Sequence, residues 1–163
     1  MTLFDPPGAA DLSPTARPLL LSIEVPGRPR GQGSMALWTD KATGGERAKY
    51  SDDTSGHRNL TVGTLLDAWA GRPPAEGPLG VRVLAEFIRP ASHYGTGRNR
   101  SQLKDSAPGE WFVGYPDGDK IARLIGDALT IAHVITDDRF IAYWRLRKRW
   151  AGRNCTSVEL IAL

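Results

Sequence analysis

Runs of alternating apolar and polar side chains predict four main β-strands. Residues 18–25 are apolar and β-branched up to a Pro-Gly stop, and residues 79–89 alternate between two faces. Residues 139–150 and 155–163 repeat the pattern near the carboxyl end. The short AGRN linker between these last two segments predicts a hairpin that pairs them with each other.

Two other segments carry apolar residues at helical spacing. In residues 52–71, Leu65, Leu66 and Trp69 share one face, a Ser or Thr near the start would cap the helix, and Gly71 ends it. Residues 118–132 have a broader apolar face. Its members are Ile121, Leu124, Ile125, Ala128, Leu129 and Ala132.

The order of these elements predicts the fold class. Two short strands around a Gly44-Gly45 turn, 35–40 and 46–51, precede the first helix. The pattern indicates an α/β or α+β fold with a small mixed sheet and two main helices. Because 163 residues suit one domain, we expect a flexible tail at residues 1–17 and a single domain over 18–163.

Residues 90–116 follow neither the helical nor the strand period. An irregular stretch of this length inside a compact domain is typically functional or mobile. We therefore expect residues 90–116 to be functional or mobile.

The cysteine content and the amino-terminal sequence indicate the cellular compartment in which the protein works. The single cysteine, Cys155, can form no internal disulfide, so we expect a reducing compartment such as the cytoplasm. The start of the chain lacks a basic region followed by an apolar run, which argues against a signal peptide. No apolar run approaches the ~20 residues of a membrane span, so no membrane partner is expected.

Acidic residues gather around the second predicted helix, although the net charge is +3. Asp117 lies at or just before its N-cap, Asp119 lies in its first turn, and Asp137-Asp138 follows its end. Crowded carboxylates repel, so arginines, water or a metal cation must compensate. In one interpretation Asp117 caps the helix and Asp119 and Asp127 pair with Arg123. In the other, the carboxylates hold a divalent cation.

Chain geometry leaves both interpretations open. A helix of this length spans roughly 21 Å at 1.5 Å per residue. The five residues after it, extended at about 3.3 Å each, cover most of the way back to Asp117. The sequence therefore permits a shared site for Asp117 and Asp138 but does not force one.

Basic residues form three groups that could bind phosphates. The first lies along the strand 139–150, where alternation places Arg145, Arg147 and Arg149 on one face. No acidic residue occurs between 139 and 158 to balance them. A solvated outer face of the sheet would show the same pattern. The second group lies in the long loop, where His93 and Tyr94 could help to track a DNA backbone, and the third lies in the Gly/Pro turn after the first strand. The three groups are Arg139, Arg145, Arg147 and Arg149, with Lys148 and Arg153 adding charge; Arg89, Arg98, Arg100 and Lys104; and Arg28 and Arg30.

Several other chemistries are disfavoured. The three histidines and Cys155 have no zinc-ligand spacing. Neither a P-loop nor a G-x-S-x-G sequence occurs. We therefore expect neither a nucleotide cofactor nor a serine hydrolase.

The composite motif around the acidic helix resembles the RusA family of Holliday junction resolvases. The pattern P-D-x-D, a basic residue four positions later, D-A-L, and then V-I-x-D-D-x-x-I falls on residues 116–141. The opening VPGRPRGQGSM is also similar. The resemblance implies a RusA-like fold and a dimeric, Mg²⁺-dependent crossover junction endodeoxyribonuclease of the kind found in phages and prophages. Such an enzyme cuts four-way DNA by paired nicks in recombination and repair.

The resemblance also implies site residues. Metal-binding carboxylates fall on Asp117, Asp119 and Asp138, with one or two Mg²⁺ per site and Mn²⁺ as a substitute. The family's catalytic lysine falls on Arg123, and its usual asparagine falls on Lys120.

The exchange of lysine for arginine limits what this position can do. Arginine cannot act as a general base, but it can stabilise charge or contact a phosphate. Lys120 could supply an ammonium instead, or contact DNA. Asp127 is interpreted as the orienting partner of Arg123. The alternatives are a nuclease acting on other branched DNA and a non-catalytic DNA-binding protein.

Overall fold

The computed structural model describes residues 17–33 and 55–163 and, between them, residues 35–39, 44 and 46–50. The predicted tail therefore lies outside the described residues except for Arg17. The two helices are α1 (Ser55–Trp69) and α2 (Gly118–Ile131). The strands are β1 (Leu19–Pro26), β2 (Met35–Thr39), β3 (Glu46–Tyr50), β4 (Leu79–Ile88), β5 (Ile141–Ala151) and β6 (Cys155–Ala162).

Four strands form one mixed sheet in the order β1-β6-β4-β5. Strand β6 is antiparallel to both β1 and β4, whereas β4 and β5 are parallel. Strands β2 and β3 pair antiparallel as a separate hairpin, as predicted. A single domain with a mixed sheet and two helices confirms the predicted α+β fold.

The predicted hairpin between β5 and β6 is wrong. These strands are not neighbours, because β4 lies between them. The linker instead crosses the carboxyl end of β4, where the side-chain oxygen of Asn154 accepts a hydrogen bond from the Ile88 N–H at 2.9 Å. The carbonyl of Asn154 also accepts from the Gly27 N–H at 3.2 Å. Three strand ends are thus held together by one short turn.

Both helices pack on one face of the sheet, which we call the inner face. The apolar face predicted for α2 is buried in full, from Ile121 to Ala132. Gly118 and Gly126 bring α2 close to Leu146 and Trp144 of β5. The core also takes in the inward side chains of β1, where burial alternates along the strand, and of the central strand β4, which is buried over most of its length.

Helix α1 confirms most of its predicted face. Leu65 and Trp69 are buried, but Leu66 is about half exposed, which corrects its assignment to the core. Leu66 follows Leu65 by 100° around the helix axis, and α2 and β1 cover only one side of α1. The helix ends at Trp69, and Ala70 and Gly71 both have positive φ. Residues 51–54, where a cap was predicted, lie outside the described residues.

The long loop after β4 is folded. It contains two short 3₁₀ helices, Ala91–His93 and Gly97–Asn99. Its last part runs along the free edge of β5, where the Phe112 N–H donates to the Lys148 carbonyl at 3.1 Å. The Phe112 ring stacks on Phe87 at 3.8 Å between centroids. The loop therefore contributes Phe112 to the core. None of the described helices is long and apolar enough to cross a membrane.

Candidate active site

The amino end of α2 presents two acidic side chains to solvent. Asp117 is the N-cap residue, as predicted, but its carboxylate accepts no hydrogen bond from the helix. Asp119 lies in the first turn and is exposed, without an ion pair in the described part of the chain. An N-cap aspartate normally satisfies one of the free N–H groups of the first turn. Both carboxylates are therefore available to another partner, in the favourable field of the helix N-terminus.

Two neighbouring segments fix this first turn in place. The Lys148 ammonium donates to the carbonyls of Gly114 and Pro116, at 2.8 and 2.9 Å. From the other side, the Gln32 N–H donates to the Lys120 carbonyl at 2.9 Å. The turn after β1 thus packs directly against the start of α2.

Gly31 explains how that turn comes so close. A Cβ atom at Gly31 would lie 2.7 Å from the Cβ of Lys120 and 3.0 Å from the Cβ of Pro116. Contacts of this length do not occur between real side chains. The absence of a side chain at Gly31 is therefore a condition for the observed packing.

One ammonium group lies next to the acidic pair. The Nζ atom of Lys120 is 3.6 Å from Oδ2 of Asp117 and 5.7 Å from the centre of the Tyr115 ring. Lys120 is largely shielded from solvent, whereas the Asp117 side chain is mostly exposed. Lys120 therefore partly balances the charge of Asp117, in addition to its predicted role as a DNA contact.

The two residues of the second acidic pair, Asp137 and Asp138, have different roles. Asp137 caps the short helix Asp138–Phe140 by accepting from the Arg139 N–H at 2.9 Å, and its other oxygen lies 3.9 Å from Arg139 Nε. Asp138 forms no ion pair within the described residues, and its side chain lies beside Gly126, in the middle of α2. The free carboxylate of the pair is therefore Asp138.

Asp119 and Gly126, the residue beside Asp138, lie on the same side of α2. Asp119 and Gly126 are seven residues apart, almost two full turns, which is roughly 10 Å along the axis. The chain after α2 runs back only part of the way, because Val134 and Ile135 bury themselves against the helix end. No three carboxylate, imidazole or thiol groups among the described residues converge closely enough to hold a metal ion by themselves.

Arg123 is exposed on α2, one turn beyond Asp119. Neither Asp119 nor Asp127 forms an ion pair with it in the part of the chain that the structure describes. The interpretation of Asp127 as an orienting partner of Arg123 is therefore wrong, as is the ion-pair ladder. An exposed guanidinium loses little by remaining solvated, since such pairs contribute at most about 1 kcal/mol.

The outer face of the sheet carries the predicted basic stripe of β5, with two different kinds of arginine. Arg149 donates to Glu86 of β4, with Nη2 at 2.6 Å from Oε1, and the Glu86 side chain is only 6% exposed. Arg153 joins Glu86 to Glu24, and its hydrogen bonds lower the pKa of the Glu24 carboxyl. Arg145 and Arg147 have no such partner among the described residues. We therefore keep Arg145 and Arg147, and not Arg149, as candidate phosphate contacts.

The basic residues of the long loop also fall into two sets, those that are bonded within the loop and those that are exposed without an acidic partner. Arg89 donates to the carbonyls of Pro108 and Gly109, and Lys104 donates to the Ser92 carbonyl. His93 packs edge-on against Trp150. These side chains hold the loop together. The remaining two candidates, Arg98 and Arg100, are exposed and form no ion pair with a described residue.

The third basic group lies in the turn after β1. Arg28 and Arg30 are both exposed there. Burial lowers the pKa of His57 in α1, and the nearby charge of Arg30 lowers it further. Arg30 therefore lies close to the start of α1, on the turn that packs against α2.

Comparison with protein families decides the assignment. A family model described as endodeoxyribonuclease RusA matches residues 26–161. The chain belongs to the RusA family. Members are endodeoxyribonucleases that act on Holliday junctions, so the chain is a DNA-cutting hydrolase by family. No curated protein matches the chain.

The structure adds three residues to the site that sequence reasoning on this RusA protein missed. Gly31, Gln32 and Lys148 position the first turn of α2 but bear none of its chemistry. Gly31 and Gln32 stand in the GRPRGQGS segment, where small residues indicate close approach of another backbone. Lys148 gives no such signal, because it stands among arginines of a basic stripe and only the fold turns it toward two carbonyls.

Proposed function

We propose that this chain is a Mg²⁺-dependent endonuclease that resolves four-way DNA junctions by paired nicks, acting as a homodimer. One observation carries the proposal. In a chain of the RusA family, the carboxylates of Asp117 and Asp119 lie exposed at a helix N-terminus and take no part in capping it. Aspartates that do not cap the helix at such a place are available for a cation, and Asp117 already has one cationic neighbour in Lys120.

The donor set suits magnesium. Mg²⁺ commonly takes one or two protein carboxylates and completes its shell with water and substrate phosphate oxygens. Asp117 and Asp119 would supply the protein part, with Asp138 as the third proposed ligand, and Mn²⁺ is expected to substitute. The bound ion would make a water nucleophilic and neutralise the leaving oxygen.

The protein's own groups would prepare the substrate. Arg123, free of acidic partners and one turn from Asp119, would contact a phosphate near the scissile bond. Lys120 would keep Asp117 from repelling the incoming DNA. Arg98, Arg100, Arg28 and Arg30 would contact phosphates farther away. A reducing cytoplasm, in a bacterium that carries the gene on a phage or prophage, is the proposed setting.

Replacing each carboxylate by its amide tests the proposal. Asp117→Asn, Asp119→Asn and Asp138→Asn should each abolish cutting of a four-way junction. Each should bind the junction as well as the parent or more tightly, because one negative charge near the phosphates is removed. Cutting is measured on denaturing gels and binding by band shift in EDTA.

Asp67→Asn is the matched control. Asp67 is an exposed carboxylate on α1, and its replacement should leave both readouts unchanged. Metal-dependent nicking that survives in all three site variants would refute the assignment of these aspartates. Binding without cutting by the parent protein, in every divalent metal tried, would favour a non-catalytic DNA-binding protein.

A further inference from the structure

A groove on the outer face of the sheet lies away from the candidate active site. Its volume is about 380 Å³, within the range of small-ligand sites, which hold roughly 300–1,000 Å³. Leu84 and Ser157 belong to its floor, on β4 and β6, and Arg145 and Arg147 rise from β5. Trp111 of the long loop completes the edge.

Charge in this groove is only partly balanced. Arg82 pairs with Glu159, with Nε at 2.9 Å from Oε2, and Arg149 pairs with Glu86. Arg145 and Arg147 have no acidic partner among the described residues. They are two residues apart on one strand, so both guanidinium groups point to the same face. The lining carboxylate of Glu110 is also exposed and forms no ion pair with a described residue. The unpaired groups of the groove are therefore two cations and one anion, which leaves a net positive charge for an anionic ligand.

Trp111 is an exposed aromatic side chain on an anchored backbone. It pairs with Arg149 across the edge of β5, which directs its side chain to the outer face. The flanking bonds from Phe112 N–H to Lys148 O and from Trp150 N–H to Glu110 O hold it there, at 3.1 and 2.9 Å. Trp111 nevertheless remains 54% exposed. A large exposed indole held in this way is a ready surface for stacking.

We propose that this groove binds an unpaired stretch of DNA. One base would stack on Trp111, and the adjacent phosphates would contact Arg145 and Arg147. An aromatic plane beside free guanidinium groups is the combination that binds single strands without sequence preference. The inference rests on the proposed DNA substrate.

The position of the groove separates this binding from cutting. Asp117, Asp119 and Asp138 belong to α2 and its following turn, on the inner face, whereas the groove lies on the outer face. The nucleotides held in the groove are therefore not the nucleotides at the carboxylates of the same protomer. The groove would hold opened DNA near a branch point.

Binding of a labelled oligothymidylate in EDTA tests the groove without any need for cutting. Trp111→Ala should weaken binding about 10-fold, whereas Trp111→Phe should keep most of the affinity, since stacking of one base contributes roughly 1–3 kcal/mol. The double variant Arg145→Ala/Arg147→Ala should reduce the slope of log K against log salt by roughly 1.4, the value for two phosphate contacts to a single strand. Arg58→Ala, an exposed arginine on α1 outside the groove, is the control.

The alternative outcomes are distinct. Unchanged affinity and salt slope in both groove variants would overturn the proposal. Sedimentation that shows these variants falling apart into monomers would overturn it as well, because the groove would then be a contact between copies. Trp111-dependent binding by a protein that cuts no junction would uphold the groove and reject the proposed function.

Discussion

At the scale of single residues, the site depends on which charged groups the fold leaves without partners. Asp137 and Asp138 are neighbours in sequence, yet Asp137 caps a turn and Asp138 is free. Lys148 and Arg147 are also neighbours, yet only Lys148 donates hydrogen bonds to backbone carbonyls. Alternation along β5 separates Arg147 from Lys148, because successive side chains of a strand face opposite sides of the sheet. Asp137 and Asp138 differ because only Asp137 stands at the N-cap of the short helix.

Arg123 gives a prediction at this scale. Arg123→Ala should lower the single-turnover rate of junction cutting by about 100-fold, the size of effect seen when one donor to a developing charge is removed. Arg123→Lys should lose less, because the positive charge remains although the bidentate geometry does not. Arg58→Ala provides the matched loss of an exposed arginine. An Arg123→Ala rate equal to that of the parent would remove Arg123 from the site.

At the scale of elements, the turn after β1 and the first turn of α2 form one unit. Gly31→Ala would force a Cβ atom to within 2.7 Å of Lys120. We expect a loss of about 1–3 kcal/mol in the free energy of unfolding, as for other overpacked sites. The cutting rate should fall as well, because the turn that carries Asp117 and Asp119 must shift.

Gly63→Ala is the control for this change. Gly63 lies in α1, and a Cβ atom there would meet nothing within 4 Å. Alanine should stabilise the helix by about 0.5–1 kcal/mol. Denaturant unfolding and junction cutting are measured for both variants. Parent-like stability and cutting in Gly31→Ala would contradict the packing argument.

Strand β4 gives a second prediction at this scale, through Glu86. Its buried carboxylate accepts hydrogen bonds from Arg149 and Arg153 and ties three strands together. Glu86→Ala should cost about 2 kcal/mol of unfolding free energy, because both arginines are partly exposed and can be resolvated. Glu110→Ala, which removes an exposed and unpaired carboxylate, should cost almost nothing. Equal stabilities of the two variants would contradict a structural role for Glu86.

The elements also show what sequence could and could not predict. The face of α2 follows from local spacing and is confirmed, as is the outer face of β5 from Arg145 to Arg149. Ile141, which strict alternation places on that outer face, is buried in the core, because the register shifts at the start of the strand. The strand order does not follow from local spacing, because a four-residue linker gives no sign that β4, some sixty residues earlier, lies between β5 and β6. For the same reason, the sequence gives no sign that Glu86 pairs with the arginines of β5. The stripe contains no acid of its own, and its acid comes from the neighbouring strand.

The candidate site also has features that the sequence motif predicts and features that depend on the fold. The absence of a capping bond at Asp117 and of ion pairs at Asp119 and Asp138 within the described residues agrees with the motif. The spacing of these residues along α2 depends instead on how far the chain runs back after the helix. Five extended residues could have reached farther. Burial of Val134 and Ile135 stops them beside the end of α2.

At the scale of the whole molecule, the proposed catalytic residues and the proposed single-strand groove lie on opposite faces of one sheet. The carboxylates accompany α2 on the inner face, and the groove with Trp111 lies on the outer face. A single protomer has one set of carboxylates, so two symmetric nicks need a second copy related by a two-fold axis. The proposed homodimer therefore follows from the reaction and not from a contact in the structure.

The most direct test of the central claim is cutting of a supercoiled plasmid that extrudes a cruciform, beside the same plasmid without it. The assay is run with Mg²⁺ and with EDTA. We predict linear product only from the cruciform plasmid and only with Mg²⁺, because paired nicks across a junction release a linear molecule. Equal cutting of both plasmids, cutting that persists in EDTA, or single nicks without linear product would contradict a metal-dependent junction resolvase.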